Sequence, residues 1–541
     1  MATSKALQIL GALLLVSGCS DATNSPSPGD KPGRTHETVQ SKIRPTDGMG
    51  WHGNGYGNVK AYSHASKGGH FKVWYTKKGD DAVPLEDTSP KDGVPDFVNK
   101  VAKHAETSYS TLVDEVGFRE PLDDSKYHDR PDYGGDARFD IYLLNVNDSD
   151  GYRVVEACRS NPPQCAGYLA MENDFKGFNY PSKDFAIKVL TSHEFTHAIH
   201  GAYLADIPRF WSEGTATWAE ERVFPEQGDF DNFLHVFFRN PDRPLNAEQA
   251  GNPGDPFPYS TAIWPKFLEE RFGDAVIVDT FEELAKRGKG ADVWAATDAV
   301  LQNEGASVGE AFSEFALWNA LTGSRASATD EEIGYENAAN YPVFQIGAMS
   351  WSSGGGEVLA SKEFSQRHLT ASQFELNTGE HGGETVELRA YGRLRFAVLP
   401  VAGGKPGTPT FLRPAGGLDR EEIRLPNAGK LYIAAANAET LKKELDGELE
   451  IRETSTSMGG DAGPDAGMGD AGADSDTGPP AGDAFTPDAG ANRDDTGVTV
   501  GGGGEGSSKS GCTSSGGDSP LPLALVAVVV FAAGFRTRRR F

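Results

Sequence analysis

Apolar positions recur at helical spacing over residues 94–116, where Phe97, Val98, Val101, Leu112 and Val113 follow a Gly93-Val94-Pro95 turn. A second helix is predicted over 182–200. That stretch has no Gly or Pro and carries Phe185, Ala186, Val189 and Leu190 on one stripe. Residues 139–146 and 167–171 read as short strands. After about residue 342 the texture changes to short β-branched runs punctuated by Gly, at 386–388, 394–398 and 431–435, the pattern of an all-β, sandwich-like region. The fold class expected is therefore α+β for 47–335, followed by a small β-rich domain at 336–454. No internal repeat of fixed period is visible.

The two ends read as addresses rather than fold. Lys5 precedes an apolar run at 6–16, too short to span a bilayer and the right length for a signal-peptide core. Val16-Ser17-Gly18-Cys19 then resembles the lipobox of a bacterial lipoprotein, which implies a signal segment at 1–18 and lipidation of Cys19. Residues 19–46, rich in Ser, Pro, Gly and Asp, read as a tether. At the other end, 455–519 is Gly, Ala, Asp, Pro and Ser with almost no large apolar residue, so it cannot bury enough surface to fold and is expected to be a disordered stalk. The last segment, 520–541, has a short apolar run followed by Arg536, Arg538, Arg539 and Arg540, a stop-transfer pattern. With Cys512 and the Gly/Ser stretch before it, this tail resembles the MYXO-CTERM sorting tails. A plain C-terminal anchor is the alternative. The expected location is the cell envelope or outer surface, held by the lipid or by the C-terminal segment, with release by processing.

The chain has 541 residues, with 78 acidic and 51 basic side chains and a formal charge of -27, which argues against a nucleic-acid partner. Nine Asp of the stalk, from Asp461 to Asp495, face a single cation there, Arg493, so much of the acidity belongs to the spacer.

Candidate chemistry is concentrated between Ser192 and Glu221. His193-Glu194-Phe195-Thr196-His197 is an HExxH motif, expected by chance only about 0.02 times in such a chain, and it falls inside the predicted helix. Four residues apart, the two imidazoles project from one helix face and can grip one Zn2+. Glu194, about 100° round the helix from His193, then lies beside the open coordination position, where it can take a proton from zinc-bound water and return it to a leaving amine. A catalytic zinc needs a third ligand. The metzincin pattern would need Gly at position 200 and His at 203, but the chain has His200 and Tyr203. A Glu from a second helix is the other solution, and Glu213, in Trp211-Ser212-Glu213-Gly214-Thr215-Ala216 after a break at Pro208, is the candidate.

These residues resemble the gluzincins, particularly the peptidase-MA-like group in which HExxH is followed by Trp-x-x-Glu-Gly-x-Ala, and they are similar to a family of myxobacterial metalloproteases. The similarity runs over about 71–321, including Asp92-Gly93-Val94-Pro95-Asp96, Gly134-Gly135-Asp136, Phe139-Asp140, Cys158 and Cys165. It implies a zincin-like domain with the site between an upper α+β half and a helical lower half. In that resemblance His193, His197 and Glu213 match the metal ligands and Glu194 the general base. The interval between His197 and Glu213 is shorter than in thermolysin-like enzymes. The function expected is an exported, envelope-anchored zinc metallopeptidase acting on protein or peptide substrates. A surface adhesion protein on an inactive zincin scaffold, or a zinc hydrolase of another substrate, are the alternatives.

Tyr259, downstream of the third ligand, matches the placement of an oxyanion donor in related enzymes; its alternative is a buried ring anchoring a helix start. Glu220 reads as solvated beside Glu221, His200 as a pocket-wall or ligand-orienting residue, and His235 as a core histidine. Residues 167–171 could be the edge strand on which an extended peptide pairs. Asp87, Ser89, Asp92 and Asp96, and likewise Asn145, Asn147, Asp148 and Asp150, look like degenerate Ca2+ loops without the ligand spacing of an EF-hand; acidic turns held by their own side chains are the other reading. Cys158 and Cys165 lie close together in an exported chain whose other two Cys belong to the terminal segments, so they are expected to form a disulfide.

Overall fold

The computed structural model describes residues 38–39 and 44–454, apart from 49, 51–52, 124–133, 147–148, 160, 248–253, 330–331 and 355. The chain divides after Met458, and the second unit, 459–541, lies outside the described residues. So do the expected signal segment, Cys19 and the stalk.

Six strands, β1 (Thr38–Val39), β2 (Ala61–Ala65), β3 (Phe71–Thr76), β4 (Phe139–Leu144), β5 (Gly151–Cys158) and β6 (Cys165–Glu172), form a mixed sheet in the order β1-β5-β6-β4-β3-β2. β3, β4 and β6 run parallel, with β2 and β5 antiparallel to their neighbours. Alternation sorts the side chains: Ile141, Leu143, Leu169 and Met171 enter the main core, whereas Tyr142, Leu144, Tyr168 and Ala170 pack on the opposite face with Tyr56. Both faces are covered, which is why β6 is buried from end to end.

Two expectations change here. Residues 167–171 are not an edge strand, because β6 is hydrogen-bonded to β4 on one side and β5 on the other, so its backbone groups are already used. Nor does the tether reach residue 46. Arg44 is 1% exposed, with Nε and Nη2 donating to Glu156 at 2.6 and 2.7 Å and Nη1 donating to Asp140. Two carboxylates on a buried sheet face need a cation, and this arginine supplies it from the N-terminal side.

Beneath the sheet, α1 (Asp96–Tyr109) buries Phe97, Val98, Val101 and Ala105 and continues as a π-helical turn at 110–115. The next helix, α2 (Lys183–Gly201), is capped by Ser182, whose hydroxyl accepts from the Phe185 N–H at 3.0 Å. From Ala186 onward all of its residues but Lys188 are buried. The chain then turns back, and Pro208 caps α3 (Arg209–Val223), which packs along α2. A helical layer follows: α4 (Asp229–Phe238), α5 (Phe257–Ser260), α6 (Ile263–Phe272), α7 (Ala275–Arg287), α8 (Val293–Asn303) and α9 (Val308–Ala320). Trp264, Phe267, Phe312 and Phe315 pack ring against ring within it, mostly edge to face.

The β-rich region begins with β7 (Gly347–Ala348), β8 (Val358–Gln366), β9 (Thr370–Asn377), β10 (Thr385–Gly392) and β11 (Arg395–Ala402). It ends with β12 (Lys405–Pro406), β13 (Thr410–Leu412), β14 (Leu418–Arg424), β15 (Gly429–Asn437) and β16 (Leu445–Glu453). These make a four-stranded sheet, β14-β10-β16-β8, and a second sheet, β12-β11-β15-β9-β7, with β13 joined to β11. Leu431, Ile433 and Ala435 face the other sheet, while Tyr432, Ala434 and Ala436 belong to the main core with α9. Cross-links such as Trp294 Nε1 to the Ala438 carbonyl (3.0 Å) tie the region to the helices. It shares a continuous core with what precedes it.

Candidate metal centre

On α2, one helical turn brings Nε2 of His193 and Nε2 of His197 to 3.2 Å. The antiparallel return through α3 brings Glu213 Oε2 to 3.4 Å from each of them. All three residues are buried, and they are the group of metal-capable side chains that converges among the described residues. The packing of α3 against the turn before α6 depends on Gly214: a Cβ there would stand 2.6 Å from Thr261 Oγ1, whose hydroxyl bonds the Phe210 carbonyl. A larger residue beside Glu213 would push α3 away from the turn before α6.

The triangle has the dimensions of a coordination face. Ligands about 2.0–2.1 Å from a tetrahedral ion stand about 3.3–3.4 Å apart. Glu213 Oε2 has no hydrogen-bond partner despite its burial, while Oε1 is approached by Arg209 Nε at 3.4 Å. Burial alone would push the Glu213 carboxyl up, but the two imidazoles hold it well below the ordinary carboxylate range. An ionised oxygen with no donor, facing two imidazole nitrogens, is the arrangement a divalent cation satisfies.

The second nitrogen of each ring is engaged on the side away from the triangle. His193 Nδ1 stands 2.6 Å from Glu220 Oε1. His197 Nδ1 stands 3.4 Å from His200 Nδ1. The Thr215 hydroxyl donates to the Trp211 carbonyl at 2.6 Å, so its oxygen accepts from His200 Nε2 at 3.0 Å, which leaves His200 Nδ1 to accept from His197. Burial pushes the His200 imidazole well down, in keeping with a neutral ring. Both contacts occupy the Nδ1 side, and Nε2 of each histidine is left to face Glu213.

Glu220 is therefore not solvated as its sequence position beside Glu221 suggested. It is 4% exposed, and burial pushes its carboxyl up to about 8, with nearby Asp229 acting in the same direction and His193 opposing it. Seven residues beyond Glu213, it lies on the same face of α3, a signal present in the sequence. Glu194 is wholly buried, and Gly151, at the start of β5, lies against its side chain: a Cβ at that glycine would stand 3.6 Å from Glu194 Cγ.

Tyr259 is buried with its ring stacked on His193, centroids 5.8 Å apart, and on Phe233 at 5.3 Å. Arg209 hydrogen-bonds its side chain. Sequence reasoning missed Arg209, whose role depends on two helices meeting, and Thr215. It also missed the setting of Asp150, which is buried, hydrogen-bonded by the Tyr180 hydroxyl and pushed up by burial. His235 is partly buried on α4 and does not belong to the group.

The acidic turns engage their own backbone. Asp87 accepts from the N–H groups of Asp92 and Gly93 at 3.0 and 2.9 Å, and Asp96 from those of Thr88 and Ser89, both at 3.0 Å. Asn147 and Asp148 lie outside the described residues. Cys158 and Cys165 are disulfide-bonded to each other and face one another across β5 and β6.

No protein-family model matches the chain, and no curated protein does. Among solved structures it is similar to PliG of Aeromonas hydrophila, a periplasmic inhibitor of g-type lysozyme, at 17% identity over 20% of this chain and 96% of that one, with a TM-score of 0.16. PliG of Salmonella Typhimurium matches at 10% identity over 20% of this chain and all of that one, with a TM-score of 0.14. A de novo designed double-stranded β-helix matches at 11% identity over 17% and 97%, with a TM-score of 0.12.

Proposed function

We propose that this chain is a zinc-dependent peptidase of the gluzincin kind, with His193 Nε2, His197 Nε2 and Glu213 Oε2 holding the ion. The observation that carries the reading is the triangle of 3.2, 3.4 and 3.4 Å closed by an ionised, otherwise unbonded carboxylate oxygen. Zinc bound there would polarise a scissile carbonyl and acidify water towards neutral pH. Glu194 accepts the proton of the attacking water and returns it to the leaving amine. Tyr259 donates to the developing oxyanion. Glu220 and His200 fix which ring nitrogen each ligand presents.

Export and envelope anchoring rest on the terminal segments outside the described residues, and no described helix is long and apolar enough to cross a membrane.

The test is zinc content and casein cleavage of wild type against Glu194→Ala. The variant should keep one zinc and lose hydrolysis by roughly 10²–10⁴-fold. Retained proteolysis would remove the mechanism.

A further inference from the structure

We propose that Arg209 is a positioning residue which holds Glu213 as a ligand and Tyr259 as a hydrogen-bond donor at the same time; the inference rests on the peptidase reading and deepens it. Arg209 opens α3 one turn before Glu213, with Nε 3.4 Å from Glu213 Oε1. The same guanidinium hydrogen-bonds Tyr259, with Cζ 6.0 Å from the ring centre. Tyr259 in turn stacks on His193. One side chain thus links the carboxylate from α3, the phenol from α5 and, through the ring, a histidine of α2.

The chemistry follows from what a guanidinium can do. It donates and never accepts, so the Tyr259 oxygen must be the acceptor in their contact. The phenolic proton is then not spent on the guanidinium, and Tyr259 keeps its capacity to donate. The same logic applies to Glu213: with Oε1 taken by Arg209, Oε2 is the oxygen that turns to the histidines. Lysine offers a single point charge and cannot serve two acceptors in fixed directions as the planar fork does. The nearby acid on the α5 side, Asp255, is paired with Arg243, and Arg209 adds only a weaker charge effect on it. At 30% exposure against 3% for Glu213, Arg209 stands between the buried triangle and solvent.

The experiment compares wild type, Arg209→Gln, Arg209→Lys, Tyr259→Phe and the Arg209→Gln/Tyr259→Phe double variant, with thermal melting of each as a folding control. Zinc affinity of the metal-free proteins is read by competition with a chelating dye, and kcat and KM on a fluorogenic casein-derived peptide. Arg209→Gln should weaken zinc about 10-fold, with Arg209→Lys in between and Tyr259→Phe close to wild type. Arg209→Gln should also lower kcat more than it raises KM, and it should cost less than about 3-fold further in the Tyr259→Phe background, because both changes remove one interaction. Wild-type zinc affinity in Arg209→Gln, or kcat losses that simply multiply, overturns the assignment. A wild-type protein that takes up no zinc sinks the metal reading itself. A wild type that binds zinc, with Arg209→Gln indistinguishable from it, sinks only the role of Arg209.

Discussion

Between α2 and α3 the buried side chains include His193, Glu194, His197, His200, Glu213 and Glu220, whereas β15 buries Leu431, Ile433 and Ala435 on one face and Tyr432, Ala434 and Ala436 on the other. Both places are buried, yet they are held by different physics. Around β15 any side chain of the right volume and polarity would serve, because the stabilisation is proportional to the apolar area removed from water. Between the helices each polar group must find a specific partner or its burial is costly. Several atoms there lack one, Glu220 Oε2 and Thr217 Oγ1 among them, and of these Glu213 Oε2 is the one that stands 3.4 Å from both ring nitrogens of the histidines. A carboxylate oxygen left buried against two imidazoles costs stability unless something meets it, which is the ground for proposing a bound cation there.

Substitutions on the two sides should separate these roles. The largest effect is expected from Glu213→Ala, which should lose zinc and hydrolysis together, read by metal analysis and by casein cleavage. If that variant binds zinc as tightly as wild type, the ligand set is wrong and His200 or Glu220 takes its place. Ile433→Ala in β15 should cost about 2–5 kcal/mol in denaturant unfolding while zinc content below the melting range stays at the wild-type level. A zinc loss there would show that the two regions are coupled. Tyr259→Phe should lower kcat roughly 10²-fold with zinc retained. An unchanged kcat returns the ring to packing against His193. The smallest effect is expected from the Cys158→Ser/Cys165→Ser pair, at about 2–3 kcal/mol of stability, because the loop it closes is short. Thiol labelling of both cysteines in the native protein would contradict the bond.

What could be read from the chain alone is what depends on neighbours within a turn or two. The i, i+4 spacing of His193 and His197, the place of Glu194 between them and the break at Pro208 follow from local helix geometry, and so does the face that Glu213 shares with Glu220. The alternating and Gly-punctuated runs after 342 likewise mark strands wherever they pair. Tertiary structure decided everything that needed a distant partner: β6 lies inside its sheet because β5 and β4 flank it. Arg44 is buried because Glu156, 112 residues away, meets it. The β-rich region merges with the helices because β15 is apolar on both faces and α9 covers one of them. Periodicity tells which face of an element is apolar, but not what that face meets. For the same reason Arg209 reads as an ordinary surface cation in the sequence and becomes part of the site only when α3 and α5 bring Glu213 and Tyr259 to it.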